Sequence, residues 1–372
     1  MINIPNKEQW EMMNEHLSNI AEALDSQIDV STWSGVQKAV RTGIAPELFP
    51  IGSSFVVEHT TYGQLQFDVV AHDHFKNAYD SDSHTMTLMC HTSLPRIQFD
   101  RPEAFYQHTD TAEGAAGTYN FTIPSYNQWS GTYQFTTQNP ILQNYQFCLS
   151  GYANVAPETL SVQVYDGDTL IESCPITVGS AGISLGTFGT ELNHAHRVSY
   201  GSDNYRESAI RQFLNSDGEV GKAWVRQTQY DRPPEWVGNT AGFLNGLDSG
   251  FLSVVGRVTI PCVANNVYEA PDSATKVGEA YVLKDKFYLA SAKEVFGASS
   301  GVPEDGSEQF PFFEGASDSD RIKYLNTTAV IWGLRSPNPG NAFGGSDVTE
   351  TGTLANPSAT TKLGVVPVCN IV

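Results

Sequence analysis

From Leu48 to the C-terminus, apolar residues come in short runs broken by Gly, Pro, Asn, Asp and Ser, the pattern of many short strands joined by turns. Segments 54–57 and 65–70 flank Tyr62-Gly63, a hairpin signal, and strand-like runs recur at 85–90, 97–99, 258–263 and 282–290. Charged residues make up only 17% of the chain, below the usual quarter, and Gly, Ser, Thr, Asn and Gln fill the difference. Helical periodicity is confined to short pieces. Trp33, Val36 and Val40 predict a helix capped by Ser31 and ended by Gly43. Two further short helices are predicted at 208–214 and 291–296, and 297–320 reads as loop. Residues 7–25 carry Trp10, Met13, Leu17, Ile20 and Leu24 at alternating spacings of three and four, the seam of a short coiled coil or of an amphipathic helix packed on its own domain.

A chain of 372 residues is long enough for two or three domains. Residues 112–188 read as a separate unit. It opens at Ala112-Glu-Gly-Ala-Ala-Gly117 and closes at Gly179-Ser-Ala-Gly182. Between them lie strand-like runs at 119–123, 132–136, 145–150, 160–165 and 170–174, the last two joined by Asp166-Gly167. Regular short strands inside Gly-rich borders predict a small β-sandwich of immunoglobulin-like type inserted into a surrounding domain. The expected plan is an N-terminal helical segment at 1–45, a discontinuous α+β domain at 46–111 and 189–372, and the insert at 112–188.

The net charge is −20 (21 basic, 41 acidic residues), which disfavours nucleic acid and anionic membrane surfaces as partners. Neither a signal peptide nor a membrane span is visible. The five cysteines, at 90, 148, 174, 262 and 369, lack the spacing of a zinc site or a disulfide framework and read as buried thiols. His72-Asp73-His74 and His194-Ala-His196 have metal-ligand chemistry but no Cys or helical HxxxH partner, so packing or surface histidines are the better reading. The acidic clusters Asp80-Ser-Asp82 and Asp318-Ser-Asp-Arg321 leave calcium open without supporting it, because the EF-hand Gly and Glu are missing. A polysaccharide hydrolase would need paired carboxylates in a cleft, and the sequence does not bring Glu269, Asp272 and Glu279 together. With no nucleophile elbow, P-loop or dinucleotide fingerprint, the expectation is a protein that is not an enzyme and needs no cofactor.

The C-terminal block is the most specific part of the chain. Trp332-Gly-Leu-Arg-Ser-Pro337, then Asn338-Pro-Gly-Asn-Ala342, then Gly364-Val-Val-Pro-Val368 resembles the closing motif of a phage and Firmicutes family with a C-type-lectin-like fold. That family usually reads Trp-Trp-Leu-Arg-Ser-Pro, an Asn-rich tract and Gly-Val-x-Pro-x-Leu. Supporting pieces are Phe67-Asp-Val-Val70, Ser208-Ala-Ile-Arg-Gln-Phe-Leu-Asn215 and Phe287-Tyr-Leu-Ala-Ser291. The resemblance covers about 45–110 and 190–372. It implies an α+β, C-type-lectin-like domain, and the same fold supports formylglycine-generating oxidases, whose closely spaced cysteine pair is absent here.

In such families the Asn-rich tract is often the variable region of a diversity-generating retroelement, in which template adenines are miscopied. Here Phe343, Gly344, Asp347, Thr349, Ala355, Pro357, Ser358, Thr360, Thr361 and Leu363 each stand one or two adenine changes from an Asn codon, and Asn356 keeps the template residue. Val348, Gly352, Leu354, Ala359, Gly364, Val365 and Pro367 stay in family register, whereas Glu350 and Lys362 cannot arise that way. The resemblance thus implies a ligand-contacting surface made by Phe343, Gly344, Gly345, Ser346, Asp347, Thr349, Thr351, Ala355, Asn356, Pro357, Ser358, Thr360, Thr361 and Leu363. Trp332, Arg335, Ser336 and Pro337 would be scaffold, and Phe343 the aromatic anchor. The function expected is host attachment from a virion, at a phage tail tip. A host surface protein or glycan and other virion proteins would be the partners, with a trimer as the oligomer. The rival is a virion decoration or baseplate protein with no host ligand.

Overall fold

The computed structural model describes residues 28–101, 105–106, 113–123, 131–143, 145–150, 161–167, 169–178, 202–227, 233–264, 279–297, 305–338 and 344–372. The helix expected at 7–25, the Gly-rich exit at 179–182, and His194 and His196 lie outside them.

The first described helix, α1 (Trp33–Arg41), begins one residue later than its sequence signal. Asp29 captures the Ser31 hydroxyl at 2.5 Å, so Thr32 takes the cap and its hydroxyl accepts from Gly35 N at 3.1 Å. Its buried stripe is Gly35, Val36, Ala39 and Val40. Gly43, at φ +78°, ends the turn into α2 (Ala45–Leu48). A hairpin follows, β1 (Ser54–His59) and β2 (Gly63–His72), turning at Gly63 with φ +72°. Then come β3 (Met86–Cys90) and β4 (Leu94–Gln98).

The next strands are β5 (Phe105–Tyr106), β6 (Thr118–Ile123), β7 (Gly131–Thr136), β8 (Gln146–Ser150), β9 (Ser161–Asp166) and β10 (Thr169–Val178). They form one sheet in the order β5-β8-β9-β10-β7-β6. Strand β10 pairs with β9 through residues 169–175 and with β7 through 176–178. Phe135 of β7 and Phe147 of β8 are not on neighbouring strands, yet their rings lie 5.6 Å apart. The sheet therefore folds over along β10, and Phe135, Phe147, Val162, Val164 and Ile176 are buried within it.

The chain continues with α3 (Ala209–Asn215), α4 (Ser249–Val254), β11 (Val255–Gly256), β12 (Val258–Ala264), β13 (Glu279–Asp285), β14 (Phe287–Tyr288) and α5 (Ala292–Phe296). The run expected as one strand at 282–290 is split at Lys286, because β13 pairs with β12 whereas β14 turns to pair with the C-terminal strand. The last elements are β15 (Lys323–Leu325), β16 (Thr328–Val330), β17 (Trp332–Pro337), β18 (Gly345–Val348), β19 (Leu354–Ala355), β20 (Lys362–Val365) and β21 (Val368–Ile371). The segment expected as loop before Arg321 contains two short 3-10 turns, Pro311–Phe313 and Asp318–Arg321.

Two sheets organise this part of the chain, which is a β-rich α+β fold. The first runs β1-β2-β3-β21-β11, with β14 also on β21. The second runs β19-β18-β17-β20-β4. Only the β17–β20 pairing is parallel in the second sheet. The main apolar cluster draws on residues from Val36 to Phe99 and from Tyr205 to Ile371, and none between 105 and 178 belongs to it among the described residues. Its centre is the C-terminal strand. β21 is buried throughout and pairs with β3, β11 and β14. Even its polar residue is satisfied, since Asn370 accepts from the Thr87 hydroxyl and donates to the Tyr288 hydroxyl, both at 2.7 Å.

A chain ended at Val366 would expose three strand edges at once and should lose cooperative unfolding altogether. Thermal denaturation followed by near-ultraviolet circular dichroism tests this against the full chain. A sharp transition in the truncated protein would refute the central role of β21.

Candidate functional site

The C-terminal motif lies on β17, which is buried along its whole length. Trp332 is 0% exposed and its indole N–H donates to Arg321 O at 3.0 Å. Arg335 is 2% exposed, and its guanidinium grips Glu294 with two bonds of 2.7 and 2.5 Å. A further N–H reaches Leu289 O at 2.9 Å, and Asp305 lies 3.4 Å away. Glu294 comes from α5, where it also closes a capping box with Ser291. Ser291 in turn contacts Ser307, which donates to Asp305. Burial raises the Glu294 pKa, but Arg335 overrides it and holds the carboxyl down at about 2. The Ser336 hydroxyl accepts from Ala292 N at 2.9 Å. These motif side chains are structural, and they bolt β17 to α5 and to 305–307.

The tract after the motif divides by burial. Val348, Gly352, Ala359, Gly364, Val365 and Pro367 are buried and Leu354 is half-buried against the core. Thr351 and Asn356 are exposed, whereas Thr349, Ala355, Pro357, Ser358, Thr360 and Thr361 are partly so. The turn between β18 and β19 carries three threonine hydroxyls bonded to one another, Thr349 to Thr353 at 2.8 Å and Thr349 to Thr351 at 2.9 Å. Ser358 bonds Thr360 and Thr361 at 3.1 and 3.2 Å. The turn passes so close to Asp318 that a Cβ on Gly352, at φ +83°, would lie 1.7 Å from its carbonyl oxygen. Glu350 and Lys362 are both exposed, and Glu350 stands 3.9 Å from Arg96 of β4.

Five residues expected to face a ligand do not. Gly344, Gly345, Ser346, Asp347 and Leu363 are buried. Leu363 lies over Gly333, where a Cβ would approach its Cδ1 to 3.3 Å, so it packs in the space that the glycine leaves. Phe343 falls outside the described residues. Asp347 pairs across β17 with Gly333 and across β19 with Ala355. Its Oδ1 is buried with no hydrogen-bond partner. Burial, and then the nearby Glu350 charge, push its pKa up to about 7.

The histidine and acidic motifs serve structure. His72 bonds Phe49 O at 3.0 Å. His74 lies between Phe75 and Phe310 with its Nε2 3.8 Å from Glu294, so the two histidines do not share a target. Asp320 accepts from Ser317 N and Asp80 from Asp82 N. No three His, Cys, Asp or Glu side chains are grouped to hold a metal among the described residues. Cys90, Cys174, Cys262 and Cys369 are buried free thiols, with pKa raised chiefly by burial. The carboxylate trio 269, 272 and 279 lies outside the described side chains. Sequence reasoning missed Glu294 and Asp305 as partners of Arg335, although Ser291-x-x-Glu294 carries the capping-box signal.

The fold and its C-terminal sheet define a β-rich α+β domain with a buried, motif-bearing strand. The chain belongs to the family described as Domain of unknown function (DUF6273), whose model matches residues 166–372. The matched segment includes β17 to β21 but not β3 and β4, which supply neighbours to β21 and β20. No curated protein and no solved structure matches the chain.

Replacing Glu294 by Gln strands the buried Arg335 charge and should cost roughly 3–5 kcal/mol, read from urea denaturation. An unchanged midpoint would show that the pair is not a structural keystone. Asp347 behaves oppositely. Its folded pKa is raised, so between about pH 4 and 7 the unfolded chain ionises while the folded one stays protonated, and stability falls as pH rises through that window. Asp347→Asn should therefore match the parent near pH 4 and exceed it at pH 8, by at most roughly 4 kcal/mol. Parallel stability–pH curves for the two proteins would rule this out.

Proposed function

We propose that the chain is a non-enzymatic receptor-binding protein that presents its C-terminal tract to a host-cell ligand from a phage tail tip. One observation carries the reading: within 348–361, Val348, Gly352 and Ala359 are buried while Thr349, Thr351, Asn356, Ser358, Thr360 and Thr361 open to solvent beside strands whose backbones pair. A fixed frame that displays small hydroxyl and amide side chains has the physics of an antibody loop. The displayed set in this reading is Thr349, Thr351, Ala355, Asn356, Pro357, Ser358, Thr360 and Thr361, joined by Thr353 and by Arg96 of β4.

The same reading makes 46–111 and 189–372 one C-type-lectin-like domain, with 112–188 inserted as a sandwich and 1–45 as an attachment segment for a trimer. Three copies on one fibre would multiply weak single-site contacts. The ligand would be a host surface protein or glycan, and retroelement copying would diversify the tract. No cofactor enters the mechanism.

Deep sequencing of the gene's 3′ end in a population grown from one clone tests diversification. Substitutions gathered at the displayed codons, with those of Trp332, Arg335 and Val365 untouched, are the expected result. Labelled protein should bind host cells, and Thr351→Lys should weaken that binding at least about ten-fold with thermal stability unchanged. A silent tract in protein that binds virions but never cells would overturn the reading in favour of a virion decoration protein.

A further inference from the structure

A cavity of about 260 Å³ opens between the β1–β2 turn, β4 and the segment around 239–242. None of the displayed residues lines it, although Leu94, Pro95 and Ile97 flank Arg96 on β4. Its floor is apolar, made by Leu94, Ile97 and Phe213, each buried. Its wall is aromatic: Tyr62 stands 4.6 Å from His59 and stacks on Phe243 at 29°. The rim carries Thr61, Asn239 and Thr240, whose side chains make no hydrogen bond to other described residues, and Val220, 60% exposed.

Among the described residues, none that lines the cavity brings a charge. His59 is held neutral by its bonds: one ring nitrogen, Nε2, donates to Phe243 O at 2.9 Å, and Nδ1 accepts from Thr61 N at 3.1 Å. Burial lowers the His59 pKa and raises that of the Tyr62 phenol, so both stay uncharged near neutral pH. In a chain of net charge −20, an uncharged, partly open cavity is a selective environment. Ions gain nothing there, whereas an apolar ring gains burial and a polar edge finds free hydroxyl and amide groups. The volume is below that of drug-sized pockets, roughly 300–1,000 Å³, and suits one ring.

We propose that this cavity is a second binding site, specific for an uncharged single-ring group with a polar edge. The ring seats on Leu94, Ile97 and Phe213, and the edge meets Thr61, Asn239 and Thr240. A phenol has this chemistry, either as a free small molecule or as a tyrosine side chain offered by a partner polypeptide.

The test is saturation-transfer NMR on the full chain with three probes: p-cresol, N-acetyl-tyrosinamide and benzoate. p-Cresol should bind at about 1 mM, and benzoate at least ten-fold more weakly. Ala241→Phe, which fills the cavity, should abolish the p-cresol signal. Val220→Lys, at an exposed position that leaves the fold intact, should weaken it several-fold. Tighter binding of N-acetyl-tyrosinamide than of p-cresol assigns the ring to a polypeptide partner, and weaker binding assigns it to a free molecule. The proposal is overturned if p-cresol gives no transfer, if benzoate equals it, or if Val220→Lys leaves the signal unchanged.

Discussion

Two charges with almost no contact with water, Arg335 at 2% exposure and Glu294 at 0%, set the geometry of the C-terminal region. A guanidinium and a carboxylate so far from solvent are tolerable only while they face one another squarely, because each alone would carry a desolvation penalty of several kcal/mol. The bidentate contact fixes distance and plane together. It ties β17 to α5, and through Ser291, Ser307 and Asp305 to the segment ahead of the 3-10 turns. Once β17 is fixed, Trp332 and Ser336 are aimed, and β18 and β20 have an edge to pair with on either side.

A frame fixed this way changes what the adjoining turn can do. Threonine is stiff at χ1 because it branches at Cβ, and in the 349–353 turn each hydroxyl is further held by its neighbours. Such a surface has little side-chain freedom left to lose, and ordering is a large part of what binding costs. Hydroxyls both donate and accept, so the same turn can meet either kind of group without repacking. The Arg96–Glu350 pair at its edge is exposed on both sides and adds little stability.

Local signals in the sequence were readable wherever local chemistry decides. The hairpin at Gly63, the Asp166-Gly167 turn and the short helices at 208–214 and 291–296 each depend on residues within a few positions of one another. The α1 cap was misplaced by one residue because two hydroxyls compete and Asp29 settles which is free. What periodicity could not supply was long-range pairing: β4 against β20, and β3 against β21, join residues more than 250 positions apart. Leu363 and Asp347 looked like surface residues for the same reason. Their burial depends on what β17 and β4 place beside them, and a short strand among small polar residues does not announce which face is inward.

Asp347 is then informative as an exception. A buried carboxylate oxygen without a partner is a cost, and nothing on β18 offsets it through the side chain. The strand keeps its place by backbone pairing instead, to Gly333 on one side and Ala355 on the other, and both neighbours are small. At 2% exposure the site is packed on all sides, so a larger side chain there would overpack it, whereas a neutral side chain of the same size removes the cost and leaves the strand registered by its backbone pairing. Arg335 and Asp347 thus make opposite demands on neighbouring strands: the first must keep its charge because Glu294 faces it, and the second is better off without one because nothing does.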